Sequence, residues 1–347
     1  MKICFFTYPS AFQNIGGGEI QLLKTKEYLE KEGAHVDLFD PWKTRLEEYD
    51  VLHVFSSVKD CLGLMRVAKS RGLRVVTSPV LWTDLRRSFH ADGGWKERAD
   101  LLARYTAKAL FPSFPSDRRR VLDISDMLFP NSEAEKRQIS RFFSIPSKKI
   151  FPVPNAVDEK FMSADPEVFR KNFGAQPFIL SVGRIEPRKN QLNLIKAMKG
   201  LAGPRLVLIG DPVTGFENYY ARCRQEGEGF VFFVPGMKHE DPSLASAYAA
   251  CEVFVLQGWF ETPGLAALEA GLAGARLAVT MGGSTKEYFG ADACYLDPSN
   301  PKKIRGAIQK ALATSKSLAL KERILSLFTW KKVARRYIEL YSRKIDE

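Results

Sequence analysis

The chain has 347 residues, 45% hydrophobic and 27% charged, with a formal charge of +12. Its length predicts about two domains, and its composition is that of a globular protein with enough apolar residues for two cores. No apolar run is long enough to cross a bilayer, residues 1–8 do not read as a signal peptide, and Cys4, Cys61, Cys223, Cys251 and Cys294 have neither metal nor redox spacing, which argues against a membrane span and a disulfide scaffold and leads to an expected cytoplasmic location. The positive charge favours anionic partners, whether nucleotide phosphates, anionic lipid headgroups or nucleic acid, without choosing among them.

Residues 2–7 read as a first strand. Gly16-Gly17-Gly18-Glu19 then opens a helix to about Lys31, which Gly33 stops. Further strands are expected over 35–39, 51–55, 74–77, 127–130 and 150–153, reached through helical stretches. A polar, proline-containing span, 154–166, follows, and the alternation restarts. Strands are expected over 177–182, 205–209, 230–234, 253–256 and 276–279, with helices between them, one of them over 191–199. Such alternation predicts α/β architecture: two doubly wound, Rossmann-like domains, at 1–165 and 166–328, facing across a cleft. Trp330, Val333, Tyr337, Ile338 and Tyr341 make one stripe of a last helix within 329–347, expected to pack back on the first domain.

Two stretches carry chemistry. In the first, a strand ends at Gly183, and Arg184 and Lys189 follow before the helix that starts near Gln191. Cations at the carboxyl end of a parallel strand suit an anionic ligand, Arg clamping it bidentately and Lys adding a mobile point charge. Solvated loop charges are the plainer explanation. In the second, Glu261-Thr262-Pro263-Gly264-Leu265 leads from an apolar strand into a helix that carries Glu269. Pro263 fits a first helical turn, and the free N–H groups there suit a phosphate. Glu261, in the loop, and Glu269, about two turns further on, suit the hydroxyls of a sugar or ribose. The helix dipole alone also favours a Glu at this place. Together these parts read as a nucleotide-sugar site.

The glycines at 16–18 lack both the dinucleotide-binding and the P-loop spacing, which weakens nicotinamide-cofactor and NTPase readings. There is no Asp-x-Asp, and His35, His53, His90 and His239 show no ligand spacing. No metal and no other cofactor is expected. The charge of a leaving diphosphate would be met by Arg, Lys and helix N-termini.

In this order the motifs resemble family 4 of the retaining glycosyltransferases, with the GT-B fold. Val153-Pro154-Asn155-Ala156-Val157-Asp158 is similar to that family's inter-domain segment, with Ala156 in place of the usual Gly. Gly183-Arg184 with Lys189 is similar to its diphosphate loop. Glu261 to Glu269 is similar to its Glu-x7-Glu signature, and Gly282-Gly283 with Glu287 to the loop that follows. The resemblance covers about 150–300 well; before that, only the glycine loop and the strand–helix pattern match. It implies hexose transfer from a nucleoside diphosphate sugar to an acceptor hydroxyl, with retention, in cell-envelope polysaccharide or glycolipid synthesis. It further implies catalytic roles for Glu261, Arg184 and Lys189. Donor-binding roles follow for Gly17, Gly18, Gly183, Arg184, Lys189, Glu261, Thr262, Pro263, Gly264, Leu265 and Glu269, with Arg184 and Lys189 on the diphosphate, Glu261 on the sugar and Glu269 on the ribose. One departure stands out: Ser78 or Pro79 occupies the place where many relatives carry a His.

Two alternatives stay open, a nucleotide-sugar epimerase on the same fold and a non-catalytic sugar-nucleotide-binding subunit. No nucleic-acid recognition module is evident, so no nucleic-acid partner is expected. Between Trp82 and Arg120, basic residues are mixed with Phe89, Trp95, Phe111 and Phe114. Such a surface suits an anionic membrane face and a glycan or lipid-linked acceptor; an ordinary helix with core aromatics explains it as well.

Overall fold

The computed structural model describes residues 1–13, 15–83, 85, 94–174 and 176–343. It divides into two compact units. The first comprises Met1–Thr83, Asp100–Ala156 and Trp330–Glu347; the second comprises Val157–Thr329 with the described residues of Asp84–Ala99. Phe161, in a short 3-10 turn just after Val157, is buried in the second unit's core beside Tyr248 and Phe254.

Among its described residues, the first unit holds a five-stranded parallel sheet. Its strands are β1 (Lys2–Phe6), β2 (His35–Leu38), β3 (Val51–Val54), β4 (Arg74–Thr77) and β5 (Met127–Leu128), in the order β2-β1-β3-β4-β5. All four residues of β3 are buried, as befits a strand covered on both faces. The expected strand over 150–153 does not form: it makes one bridge, Leu128 to Ile150, with the N–H groups of Phe151 and Val153 donating to Leu128 and Pro130. Pro130, Pro152 and Pro154 remove backbone donors on both sides, so no ladder can propagate.

The glycine loop opens a helix over Gly17–Lys31, the Gly16 N–H donating to Glu19 Oε2 at 2.8 Å. The last helix, Trp330–Ser342, buries Trp330, Val333, Tyr337 and Tyr341, and Ile338 is half-buried. It packs on the glycine-loop helix, where Tyr28 and Trp330 have ring centroids 6.5 Å apart and Arg335 pairs with Glu32 at 2.9 Å. Tyr341 also reaches the sheet: its hydroxyl lies 2.6 Å from His53 Nδ1, and His53 Nε2 lies 2.9 Å from Ser78 Oγ. His53 is stacked on Phe55 and fully buried. Burial pushes its imidazole down to about 3. Ser78 is therefore an interior partner of His53, with its hydroxyl turned into the unit.

The second unit's described strands are β6 (Phe178–Val182), β7 (Arg205–Ile209), β8 (Val231–Val234), β9 (Val253–Leu256), β10 (Arg276–Thr280) and β11 (Cys294–Leu296). They form a parallel sheet in the order β11-β10-β9-β6-β7-β8. The three-residue edge strand β11 has no counterpart in the sequence expectations. From β6 the chain winds outward through β7 and β8, then returns to lay β9 on the other side of β6. That reversal is the topological switch point of an open parallel sheet, where the loops after two neighbouring strands diverge and leave a crevice. Here those loops are the ones after β6 and after β9.

Candidate functional site

Both loops at the switch point carry the sequence-selected residues, and a hydrogen-bond network staples them together. Ser181 Oγ, at the end of β6, donates to Gln257 Oε1 at 3.0 Å, and Gln257 Nε2 donates to the Lys189 carbonyl at 2.9 Å. Asn190, held at φ 58°, donates from Nδ2 to the carbonyls of Gln257 and Pro298. The Trp259 N–H donates to the Arg188 carbonyl at 3.1 Å, and Gln191 Nε2 to that of Arg184 at 2.9 Å. Polar groups this far from solvent are costly unless paired, so the pairings of Gln257, Asn190 and Trp259 fix one loop against the other, and that of Gln191 fixes the first loop on itself.

Gly183 follows β6 directly, with its N–H on the Ile209 carbonyl. Arg184 comes next, part-exposed, its guanidinium 3.9 Å from Glu186 Oε1. Lys189 ends a short 3-10 turn over Pro187–Lys189. Its Nζ pairs with Glu261 Oε1 at 2.7 Å, and the two side chains are 19% and 6% exposed. The structure thus brings together two residues 72 positions apart that the sequence reading assigned to different parts of one ligand. Burial pushes the Lys189 ammonium below its usual range, while the Glu261 charge pulls it back.

Glu261 sits in extended backbone bridged to Gly283, its N–H on the Gly282 carbonyl and its carbonyl accepting from Ser284 N–H at 2.9 Å. The approach depends on two glycines. A Cβ on Gly283, which has φ +94°, would meet the Glu261 carbonyl oxygen at 2.0 Å, and a Cβ on Gly258 would meet Glu261 Oε1 at 2.6 Å. The expectation that Pro263 starts the next helix is corrected. Thr262 and Pro263 precede it, Gly264 is the N-cap with φ 90°, and the helix is Leu265–Ala273. The bridge to Gly283 keeps the chain extended through Glu261, and the left-handed turn at Gly264 then redirects it. Glu269 is consequently in the second turn of that helix rather than two turns in. No side chain caps this helix; the Ala267 N–H donates to the Gly264 carbonyl, and the N–H groups of Leu265 and Ala266 stand at the helix start that follows Glu261.

Glu269 is buried, and its Oε1 lies 3.0 Å from His239 Nε2. The Tyr248 hydroxyl also bonds this carboxylate; burial first, and the Glu269 charge second, hold that phenol well above its ordinary value. His239, Gln257 and Asn190 were not singled out in the sequence. Nothing in their local pattern marks them, since each acquires its partner only through strand order. Gly17 and Gly18 open an α-helix of the other unit. Among the described residues no cluster of His, Cys, Asp or Glu could hold a metal ion, and no helix is long and apolar enough to cross a membrane. Leu110, Phe111 and Phe114 are 67%, 65% and 70% exposed, so Phe111 and Phe114 are surface rather than core residues; Phe89 lies outside the described residues.

Residues 165–324 match the family described as Glycosyl transferases group 1. The chain is 26% identical over 257 residues to O-antigen chain mannosyltransferase B of Escherichia coli, covering 69% of this chain and 64% of that one. It is 29% identical over 175 residues to D-inositol 3-phosphate glycosyltransferase of Mycolicibacterium smegmatis, covering 48% and 40%. The alignments thus span less than two thirds of either relative. Among solved structures, sucrose-phosphate synthase from Thermosynechococcus elongatus shares the fold over 98% of both chains, with TM-score 0.78 and 18% identity. Anabaena Alr3699/HepE in complex with UDP-glucose does so over 99% of both chains, with TM-score 0.73 and 16% identity.

Proposed function

We propose that this chain, whose residues 165–324 belong to the group 1 glycosyl transferases, moves a hexose from a nucleoside diphosphate sugar to an acceptor hydroxyl with retention of configuration. The observation that carries this reading is the buried Lys189–Glu261 pair, set at the switch point of the second sheet beside an uncapped helix start. Lys189 has three donors, so it can keep Glu261 and take a donor phosphate oxygen as well. Arg184 and Lys189 hold the diphosphate, and the first turn from Leu265 adds backbone N–H groups. Glu261, fixed by Lys189, accepts from hydroxyls of the transferred sugar. Glu269 accepts from the ribose. Gly183, Thr262, Pro263 and Gly264 let the chain run close to the donor, while Gly17 and Gly18 serve its phosphates or the acceptor.

As the bond from the anomeric carbon to the phosphate oxygen breaks, charge grows on the diphosphate, where Arg184, Lys189 and the helix start receive it. The acceptor oxygen bonds to the anomeric carbon on the same face, and its proton passes to the departing phosphate oxygen. The reaction is read as metal-independent, because these fixed positive groups already meet the leaving charge. The acceptor is a glycan or lipid-linked hydroxyl on the cytoplasmic side of a membrane. Exposed Leu110, Phe111 and Phe114, with exposed Arg120 close in sequence, would touch that surface. Flotation with anionic vesicles at low salt is expected to carry the protein upward; failure to float would remove the membrane contact.

Turnover is assayed with UDP-, GDP- and ADP-hexoses in excess EDTA, with and without glycan acceptors. Nucleotide release that needs an acceptor and survives EDTA is expected. Donor consumption without acceptor would favour the epimerase reading, and binding without turnover the non-catalytic one. In the same assay Glu261→Gln lowers kcat by roughly 100-fold, because it disturbs groups aligned at the reacting carbon. Glu269→Gln mainly raises KM, by about tenfold, because ribose contacts are alike in ground and transition states. The reverse pattern would exchange the two roles.

A further inference from the structure

Glu269 is less free than a ligand-binding carboxylate on an open helix would be. The loop after β8 brings His239 against it, Nε2 to Oε1 at 3.0 Å, with both side chains at or below a tenth exposed. The ring is fixed from several sides. Phe161 meets it edge-on at 5.6 Å between centroids. The Lys160 ammonium donates to the His239 carbonyl at 3.0 Å, tying the loop backbone to the turn that carries Phe161. Asp241, two residues on, caps the helix Pro242–Ala250 through the Ser243 N–H, which anchors the loop's other end. That same helix supplies Tyr248 to the same carboxylate.

The two ring nitrogens are not equivalent. Nε2 faces a carboxylate, which only accepts, so Nε2 carries the proton and donates. Nδ1 is buried with no hydrogen-bond partner, and the exposed Glu240 carboxylate lies 3.6 Å away.

We propose that His239 is the positioning residue for Glu269: its Nε2–H holds one carboxylate oxygen so that the remaining lone pairs are set for the hydroxyls of the nucleotide's ribose. This rests on the reading of Glu269 as the ribose contact. A carboxylate on a second-turn helical position has several rotamers. The imidazole and the Tyr248 hydroxyl select one before the ligand arrives, so the ordering cost is already met at binding. The histidine need not touch the nucleotide.

The test is calorimetric titration of UDP, GDP and ADP into the full chain and its His239→Leu, His239→Gln, Glu269→Gln and His239→Leu/Glu269→Gln variants, with thermal melts of each. His239→Leu is expected to weaken the nucleotide that wild type binds by about tenfold, the scale for losing one hydrogen bond to a charged group. His239→Gln, whose amide N–H reaches the same oxygen, restores affinity to within about threefold of wild type. The double variant binds no worse than Glu269→Gln alone, because His239 acts only through Glu269. With an acceptor present, His239→Leu raises KM for the donor and leaves kcat near wild type. Wild-type affinity in His239→Leu, with Glu269→Gln impaired, overturns the positioning role and leaves the ribose contact standing. Equal weakness in the Leu and Gln variants also overturns it, by showing that packing rather than the hydrogen bond matters. Unchanged affinity in Glu269→Gln, or no nucleotide bound by wild type, refutes the ribose reading and the inference with it.

Discussion

Replacing Lys189 by methionine is expected to cost both stability and turnover, by separable routes. In the fold, Lys189 Nζ compensates a carboxylate that is 6% exposed, at 2.7 Å. Removing one partner of such a pair leaves an unpaired buried charge, which costs about 3–5 kcal/mol. In the proposed reaction, the same ammonium faces the growing charge of the diphosphate, and losing one such group lowers kcat by roughly 100–1000-fold. The second change, Lys189→Met with Glu261→Gln, separates the two. It makes the pair neutral on both sides, so most of the lost stability returns, as when a buried ion pair is replaced whole. Turnover stays low, since no cation has been restored. Urea midpoints and single-turnover rates measure both quantities. Wild-type turnover in Lys189→Met would defeat the proposed role, and a double variant no more stable than the single would show that the pair is not the source of the loss.

Acid should weaken the first unit through His53. Its imidazole sits at about 3 in the fold, against an ordinary 6.5, because it is fully buried between Tyr341 and Ser78. Below pH 6.5 the unfolded chain takes up a proton at this residue that the folded chain refuses. Stability contributed by the neutral ring is therefore complete above pH 6.5 and is lost progressively as pH falls toward 3. Between pH 6.5 and 4 the loss is roughly 3 kcal/mol, at 1.36 kcal/mol for each unit between the two states. His53→Asn removes the titration, and comparing the pH slopes of the two proteins cancels the contribution of the carboxylates. Parallel slopes for wild type and His53→Asn would contradict the assignment. Ser78, which with Pro79 stands about the place where many relatives carry a His, makes an interior hydrogen bond to His53.

Much of the architecture was legible because it rests on local periodicity. Apolar runs such as 253–256, bounded by turn residues, are strands wherever they end up, and their alternation with helical stretches already implies parallel sheets. Errors fell where local pattern is ambiguous. The run at 150–153 is apolar enough for a strand, yet its prolines leave too few donors. Pro263 looks like a first-turn residue, yet the bridge from Glu261 to Gly283 delays the helix to Leu265.

What the sequence determined by itself was the chemical inventory of the site: a cation pair after one strand, two carboxylates with seven residues between them after another, and a helix start between them. Side-chain type and short spacing suffice for that. The tertiary structure alone decided how these parts are joined. Because β9 returns to lie beside β6, Lys189 meets Glu261, and Gln257 and Asn190 lock the two loops. Because the loop after β8 folds over the helix Leu265–Ala273, His239 meets Glu269 across 30 residues. Strand order is set by the packing of whole units, and no local pattern encodes which distant side chain a buried charge will find as its partner.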